Sequence, residues 1–397
     1  MIFNTFSYFF LFLLPSAIAF RTASAPWRPK ILALSGTLFF VYFSLTAVGG
    51  VLGAICLALF LWEATVSRLY KTGSRWCWVG VALALGILAV FKYWNFATGI
   101  VWPSGANPWR WSGAFLPLGV SFFTFEFIHY AEDRRLGRTE AGTFWEYLAF
   151  ILFFPTMVAG PIKRYQDFLP ALRAPSPNWA ADWERGLTRI LVGLAKKFAI
   201  ADLLTTFTVH LNETDIAAAR PWVLPVWLLA FGLQIYFDFS AYSDIAIGSA
   251  RLFGLPVKEN FDWPYLQTDL AAFWRHWHMS LTRWLTDYVY IPLGGSRVGA
   301  VRVYANVIAV MLASGLWHGA GANFLVWGLW HGAGLAAHRG WRVLRGESVA
   351  GTGGLSVAGR FGAWALTFTY VNVGWAFFIM DLPTAGKFFR HLVMGWH

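Results

Sequence analysis

The chain has 397 residues, of which 57% are hydrophobic, 19% aromatic and only 13% charged, and 31 Lys+Arg against 20 Asp+Glu give a net charge of +11. A soluble domain carries about 25% charged residues, so this chain has too little polar surface to cover a core in water. The same figures exclude disordered, collagen-like and disulfide-stabilised chains. The sequence therefore predicts an integral membrane protein.

Apolar runs along the chain predict an all-α fold, a polytopic transmembrane helical bundle of about ten to twelve membrane segments, because a helix needs about 20 apolar residues to cross the hydrocarbon core. The candidate spans are 2–20, 31–48, 51–66, 76–94, 114–130, 187–209, 222–247, 303–317, 322–338 and 361–380. Two further runs, 145–161 and 268–293, are interrupted by proline or charge, and we predict that they are re-entrant or interfacial.

Charge placement predicts the orientation of these spans. No basic residue precedes the run 2–20, and Arg21, Arg28 and Lys30 follow it, which favours a retained first span with its N-terminus outside over a signal peptide. By the positive-inside rule the cation-rich loops are cytoplasmic, namely 21–30, 67–75, 131–144 and 339–360. Because the cations lie in short loops rather than on one soluble face, we expect no nucleic-acid partner.

The predicted span 222–247 contains carboxylates, and an Asp at mid-bilayer costs about 2.5–3.5 kcal/mol on insertion scales. Gln234, Asp238 and Tyr242 are four residues apart and form one polar stripe, while Asp244 lies on a different face. Two interpretations stay open: a hydrogen-bond network between helices, and the lining of a site.

The segment 273–285, with the sequence FWRHWHMSLTRWL, is denser in polar and aromatic residues. On one continuous helix His276 and His278 point to nearly opposite sides, so they cannot both bind one metal ion. Trp274, His278 and Thr282 share a face of such a helix. An interfacial amphipathic helix explains the Trp and Arg residues but does not call for a histidine on the Trp face.

A third polar group surrounds His318, which lies between two apolar runs and is flanked by glycines that allow close approach of a backbone or ligand. The neighbouring candidates are Trp317, Asn323 and His331. Helix packing is the simpler interpretation of His331. The combination of His318 with His278 and the buried acids favours acid–base chemistry, because histidine can take and return a proton near neutral pH.

Several motifs are absent from the sequence, which contains no G-x-S-x-G, no Walker A motif and no H-E-x-x-H. The histidine spacing gives no metal cluster, so we expect no metal and no permanently bound cofactor. Cys56 and Cys77 have no Cys/His neighbours of the kind found in zinc or redox sites, and we expect small buried side chains.

Eight short motifs are distributed along the sequence: FKY at 91–93, LPLGVSFFTF at 116–125, AGPIKRY at 159–165, DFSAYSD at 238–244, NF at 260–261, FWRHWHMSL at 273–281, YIPLGG at 290–295 and LWHGA at 316–320. Through these motifs the sequence, from about residue 1 to 390, resembles the membrane-bound O-acyltransferases. The resemblance is strongest to the bacterial branch that acetylates alginate and other polysaccharides and includes the D-alanine transfer protein of teichoic acid.

The resemblance implies one O-acyltransferase domain over 1–397, with re-entrant or interfacial helices around a central tunnel. It implies that His318 is the catalytic histidine and His278 the second polar position of the site. In such proteins acyl-CoA enters from the cytoplasm and the acyl group leaves toward the outer side. The implied donor is acetyl-CoA, the acceptor a polysaccharide, the partner a membrane-anchored or extracytoplasmic acetyltransferase, and the location the bacterial inner (cytoplasmic) membrane with its lipid.

On this basis we expect His318 to activate an acceptor hydroxyl as general base, or to carry the acetyl group transiently, while His278 orients or polarises the reacting groups. The remaining candidates are tunnel-lining or structural residues: Asp238, Tyr242, Asp244, Trp274, Thr282, Trp317, Asn323 and His331.

The sequence departs from the family pattern at two places. The run 132–135 after Tyr130 lacks the aromatic residue usual beside its arginine, which leaves the role of Asp133 open, and the sequence ends at His397, short of the C-terminal helices of alginate-type members.

Two alternatives to polysaccharide acetylation remain. One is an acyltransferase acting on a lipid or a teichoic-acid-type acceptor. The other is a transporter, since buried acids and histidines also line solute paths, although no inverted repeat is visible in the sequence.

Overall fold

The computed structural model describes residues 2–48, 50–102, 109–110, 118–346 and 356–395, with the backbone alone for 45–48 and 50–55. The start of the predicted span 114–130, the first two residues of the motif 116–125 and parts of the loops around 103–117 and 339–360 lie outside the described residues. Within the described part all regular structure is helical, with no strand. The predicted all-helical class is confirmed.

The chain folds into two compact units, and the first comprises Met1–Leu194 and Ala241–Glu259. Its helices are α1 (Leu14–Thr22), α2 (Arg28–Val48), α3 (Gly50–Val66), α4 (Trp76–Leu88), α5 (Trp94–Val101), α6 (Val120–Arg135), α7 (Phe144–Ile151), α8 (Tyr165–Arg173) and most of α9 (Trp179–Ala195). A π-helical turn, Ala89–Tyr93, joins α4 to α5.

Several buried charges in the first unit form ion pairs, which offset the cost of burying them in an apolar environment. Arg21 lies 2.8 Å from Asp182, which also lies 3.0 Å from Arg251. On α6, Glu126 pairs with Lys163, and both side chains are almost completely buried. The polar residues of this unit therefore hold its helices together.

The second unit comprises Ala195–Ser240 and Asn260–His397. Its helices are α10 (Asp202–Thr208), α11 (Glu213–Ala218), the first part of α12 (Val223–Leu252), α13 (Leu270–His276), α14 (Met279–Leu285), α15 (Ala300–His318), α16 (Ala322–Leu344), α17 (Val357–Ile379) and α18 (Leu382–Met394). Its core is rich in large aromatic side chains, among them Trp274, Trp277, Trp327 and Trp375.

Four helices of the described part are long and apolar enough to cross a membrane: Trp76–Val101, Val223–Leu252, Ala300–His318 and Val357–Ile379. They coincide with the predicted spans 76–94, 222–247, 303–317 and 361–380. The other predicted spans, the total of about ten to twelve membrane segments and the central tunnel stay predictions, as does the single domain over 1–397.

The two interrupted runs are broken into short pieces. The run 145–161 forms α7, eight residues long, and then a 3-10 turn at Phe154–Thr156. Eight helical residues span about 12 Å, so this run does not cross the membrane as one helix. The run 268–293 forms α13, α14 and a π-helical turn at Thr286–Tyr290.

Helices α15 and α16 pack closely because glycine lies where their backbones meet. A Cβ atom at Gly328 would lie 2.5 Å from the carbonyl oxygen of Met311, and one at Gly315 would overlap the carbonyl oxygen of Phe324. No real Cβ atom tolerates such a contact. The close packing of α15, which carries His318, against α16 therefore requires glycine at these two positions.

We expect Gly328→Ala to lower the free energy of unfolding by about 1–3 kcal/mol, because the added methyl group forces the two backbones apart. Thermal unfolding of the purified protein in detergent measures the loss. Gly362→Ala on α17 is the matched control, since a Cβ atom there meets no atom within 4 Å. An equal loss in both variants would show that the close approach does not matter.

Candidate functional site

The second unit contains a cavity of about 240 Å³ that both predicted catalytic histidines border. It is lined by α12, by the connection between α13 and α14, by the end of α15 and by α17. The lining residues are Ile235, Asp238, Phe239, Trp277, His278, Trp317, His318, Trp375 and Phe378. The walls are therefore mainly aromatic, with two imidazoles and one carboxylate facing the space.

His278 lies at a break between two helices, not within a helix. Helix α13 ends at His276, α14 begins at Met279, and His278 has a left-handed backbone with φ 44° and ψ 54°. The face that Trp274, His278 and Thr282 would share on one continuous helix is therefore not formed. The Thr282 hydroxyl instead donates a hydrogen bond to the Trp274 carbonyl across the break (3.1 Å).

The break is held by Asn260, which is completely buried. Its backbone carbonyl accepts from the Met279 N–H (2.9 Å), and its side-chain oxygen accepts from the N–H (3.2 Å) and the hydroxyl (2.8 Å) of Ser280. The first N–H groups of a helix have no partner within the helix. Asn260 supplies these partners from a distant part of the chain, so α14 can begin at a point where periodicity alone would continue α13.

The side-chain oxygen of Asn260, Oδ1, also fixes the tautomer of His278. Since Oδ1 already accepts from the backbone N–H of Ser280, its contact with Nδ1 of His278 (3.1 Å) requires Nδ1 to carry the proton. Burial disfavours a second proton on this ring, which is 2% exposed. Nε2 is therefore a free lone pair, and it has no hydrogen-bond partner among the described residues.

His318 is the last residue of α15 and is half-buried. Its ring is surrounded by aromatic rings, with centroid distances of 4.8 Å to Trp317, 5.1 Å to Trp327 and 5.0 Å to Phe378. The hydrophobic walls limit the water around the imidazole, while its position at the end of a helix leaves it accessible from the cavity.

The residues of the polar stripe predicted on α12 have different surroundings in the structure. Asp238 Oδ1 lies 2.7 Å from Lys197 Nζ, and Gln234 donates to the Thr205 hydroxyl (2.9 Å). Of the stripe, Asp238 alone is among the residues that line the cavity.

Tyr242 and Asp244 belong to the first unit and do not line this cavity. The Tyr242 ring packs against Phe3 (4.7 Å), and Asp244 pairs with Arg189 (2.5 Å). Both contacts fit the interpretation as a network between helices.

Three other candidates lie beside the cavity residues without lining the cavity. Trp274 and His331 are buried against each other (5.0 Å), which agrees with the helix-packing interpretation of His331. Asn323 donates from Nδ2 to the carbonyl of Phe377 (3.2 Å). Trp317, by contrast, is part of the cavity wall.

Sequence reasoning did not select Asn260 or Lys197 as site residues, although Asn260 belongs to the motif at 260–261. A lysine inside the predicted span 187–209 has the same cost as Asp238 and could have been selected on that ground. No local signal marks Asn260 as a partner of His278, because the contact joins residues 18 positions apart.

Asp133, whose role was left open, is a buried acceptor for Gln166 Nε2 (3.1 Å) in the first unit. Within the described residues no cluster of His, Cys, Asp or Glu could hold a metal ion. Cys56 and Cys77 are free and buried, as predicted.

Comparison with known proteins gives a consistent family. The family model of the membrane-bound O-acyltransferases matches residues 138–372, which include Asp238, His278 and His318. The chain is 33% identical to the probable alginate O-acetylase AlgI of Pseudomonas syringae pv. tomato, over 98% of this chain and 74% of that protein. It is 30% identical to the peptidoglycan O-acetyltransferase of Helicobacter pylori (99% and 80%) and 28% identical to the teichoic acid D-alanyltransferase of Bacillus subtilis (69% and 72%).

We expect the His278 ring to be the Nδ1–H tautomer and to lose this preference in Asn260→Leu, which removes the acceptor. Solid-state NMR of protein labelled with ¹⁵N-histidine measures the two ring nitrogens, and the His278 signals are identified by their absence in His278→Gln. A protonated Nε2 in the wild-type protein would contradict the tautomer derived from the structure.

Proposed function

Because the chain belongs to the membrane-bound O-acyltransferase family and is an acyltransferase, we propose that it moves an acetyl group from cytoplasmic acetyl-CoA to hydroxyl groups of an extracytoplasmic polysaccharide. The transfer is direct or passes through a membrane-anchored or extracytoplasmic partner protein. The observation that carries this proposal is the pair of imidazoles, His278 and His318, on the wall of one cavity with aromatic walls.

In the proposed reaction His318 acts as general base. It takes the proton of the acceptor hydroxyl while the oxygen attacks the thioester carbonyl. Collapse of the tetrahedral adduct forms the ester and expels the thiolate of coenzyme A, to which His318 returns the proton. General-base assistance of this kind is worth about 10²–10⁴-fold in rate.

His278 orients a reactant in this scheme. With Nδ1–H donating to Asn260, its free Nε2 lone pair accepts a hydrogen bond from a donor on the bound substrates, such as the acceptor hydroxyl or a pantetheine amide. The hydrogen bond to Asn260 holds the ring in one orientation, which lowers the entropic cost of reaching the reactive geometry.

The size of the cavity supports a short acyl group. At about 240 Å³ it is smaller than the 300–1,000 Å³ typical of pockets for drug-sized ligands. An acetyl group needs little of this space, so the size of the cavity fits a short acyl donor. The names of the relatives, alginate O-acetylase and peptidoglycan O-acetyltransferase, are consistent with acetyl transfer to a glycan.

The proposed location is the bacterial inner membrane. The chain is a membrane protein with several apolar helices, and the positive-inside rule predicts that the cation-rich loops are cytoplasmic. These loops can also attract the phosphates of coenzyme A, an effect that decreases with salt.

We expect His318→Ala to lower acetyl transfer by about 10²–10⁴-fold while the protein still inserts and folds. Release of free coenzyme A from acetyl-CoA by the purified protein in liposomes, with an acceptor glycan present, measures the rate. His210→Gln is the control, since His210 is half-exposed and pairs with Asp215 outside the cavity. Full activity in His318→Ala would exclude this residue as the base.

We also expect a strong preference for acetyl-CoA over hexanoyl- and palmitoyl-CoA. Phe378→Ala removes part of the cavity wall, and this variant should shift the ratio of kcat/KM values toward the six-carbon donor by about tenfold or more. Phe377→Ala is the matched control, because Phe377 is its neighbour on α17 but does not line the cavity. An unchanged ratio in Phe378→Ala would show that this cavity does not hold the acyl group.

A further inference from the structure

The carboxylate of Asp238 is the one negatively charged group among the residues that line the cavity, and the reaction proposed above does not use it. Its side chain is 38% exposed, so part of it faces the open space. A charged group in a predicted membrane span is costly unless it is paired or has a function.

The pairing of Asp238 leaves an uncompensated charge. Lys197 lies 2.7 Å from Asp238 and 2.8 Å from Asp202, and its side chain is 15% exposed. One lysine therefore serves two carboxylates, and the group of three carries a net charge of −1. If Asp238 only neutralised Lys197, the second carboxylate would be superfluous.

The local backbone is arranged for this contact. Lys197 belongs to a π-helical turn, Lys196–Ala201, inserted between α9 and α10. Such insertions are rare, change the direction of the side chains and occur often at functional sites. Here the insertion presents Lys197 to the cavity-facing residue of α12.

Among the residues that line the cavity with His318, Asp238 is the one source of negative charge. Helix α12 contributes Asp238, which pairs with Lys197, and the α13–α14 connection contributes His278, while α17 contributes Trp375 and Phe378. His331 packs against Trp327 on α16. His278 carries one proton, on Nδ1, and is neutral.

We propose that Asp238 is a positioning residue for acyl transfer, whose carboxylate, held by Lys197, stabilises the positive charge that forms on His318 when it takes the proton of the acceptor hydroxyl. The inference rests on the proposed function. The proton moves from the hydroxyl to His318 and then to the departing thiolate, and Asp238 neither gains nor loses a proton.

The test compares Asp238→Asn with Asp202→Asn. Each removes one carboxylate from Lys197, so damage to the ion network is common to both, but Asp238→Asn alone removes the charge on the cavity wall. In Asp238→Asn we expect kcat for acetyl transfer to fall about tenfold or more with little change in KM. A negative neighbour favours the protonated imidazole, so the acid limb of the pH–rate profile should move down by about one pH unit.

Asp202→Asn and Asp238→Glu, which keep the charge on the cavity wall, should retain the acid limb of the wild-type protein. A fall in rate that is equal at all pH values, without a shift of the acid limb, would overturn the inference and leave Asp238 with a structural role. An equal shift in Asp202→Asn would also overturn it, since the effect would then belong to the network as a whole.

A second readout does not depend on turnover. The pH midpoint at which His318 takes up its proton, followed by ¹⁵N NMR of the labelled protein, should fall in Asp238→Asn by about one pH unit. An unchanged midpoint would reject the role of Asp238 without affecting the proposed function. Loss of acetyl transfer activity in the wild-type protein, or full activity in His318→Ala, rejects the proposed function.

Discussion

The geometry of the site depends on one buried amide. Asn260 accepts hydrogen bonds from two N–H groups and a hydroxyl at the start of α14 and also from the His278 ring. An apolar interior offers no water to replace these bonds, and each unsatisfied group costs about 1–3 kcal/mol. The break between α13 and α14, the left-handed backbone of His278 and the tautomer of its ring are therefore supported by a single residue, through its backbone carbonyl and its side-chain oxygen.

The sequence was informative wherever a property is local or periodic. Low charge and long apolar runs predicted the helical membrane class, and the cost of charge at membrane depth selected Asp238 before any geometry was known. Sequence analysis failed where a residue far along the chain ends a helix that the hydrophobic periodicity would continue. The 3.6-residue repeat predicts a helix that continues over 273–285. No residue close to His278 in the sequence indicates that contacts with Asn260 will interrupt this helix. Tyr242 lies outside the cavity and packs against Phe3 in the first unit, in line with the interpretation as a network between helices.

In the second unit the many aromatic side chains form the walls of the cavity. Large rings pack around both histidines, and small polar side chains are scarce among the residues that line the cavity. Such walls exclude water and lower the local dielectric, so the few charges that remain act over longer distances. A carboxylate that would be screened at a surface can thus influence an imidazole across the cavity. The combination of many rings with few charges suits proton transfer between uncharged reactants.

The left-handed backbone at position 278 also restricts which amino acids evolution can place there. Non-glycine residues with positive φ are uncommon, and Asn, Asp and His are the types most enriched in that region. A β-branched residue would be strained in this conformation, although Trp263 shows that the chain also places one aromatic residue in it (φ 47°). The fold therefore favours glycine, asparagine, aspartate or histidine at this corner of the cavity, and of these only glycine lacks a side chain that can form a hydrogen bond. Proteins that share this break should vary mainly among these four residues.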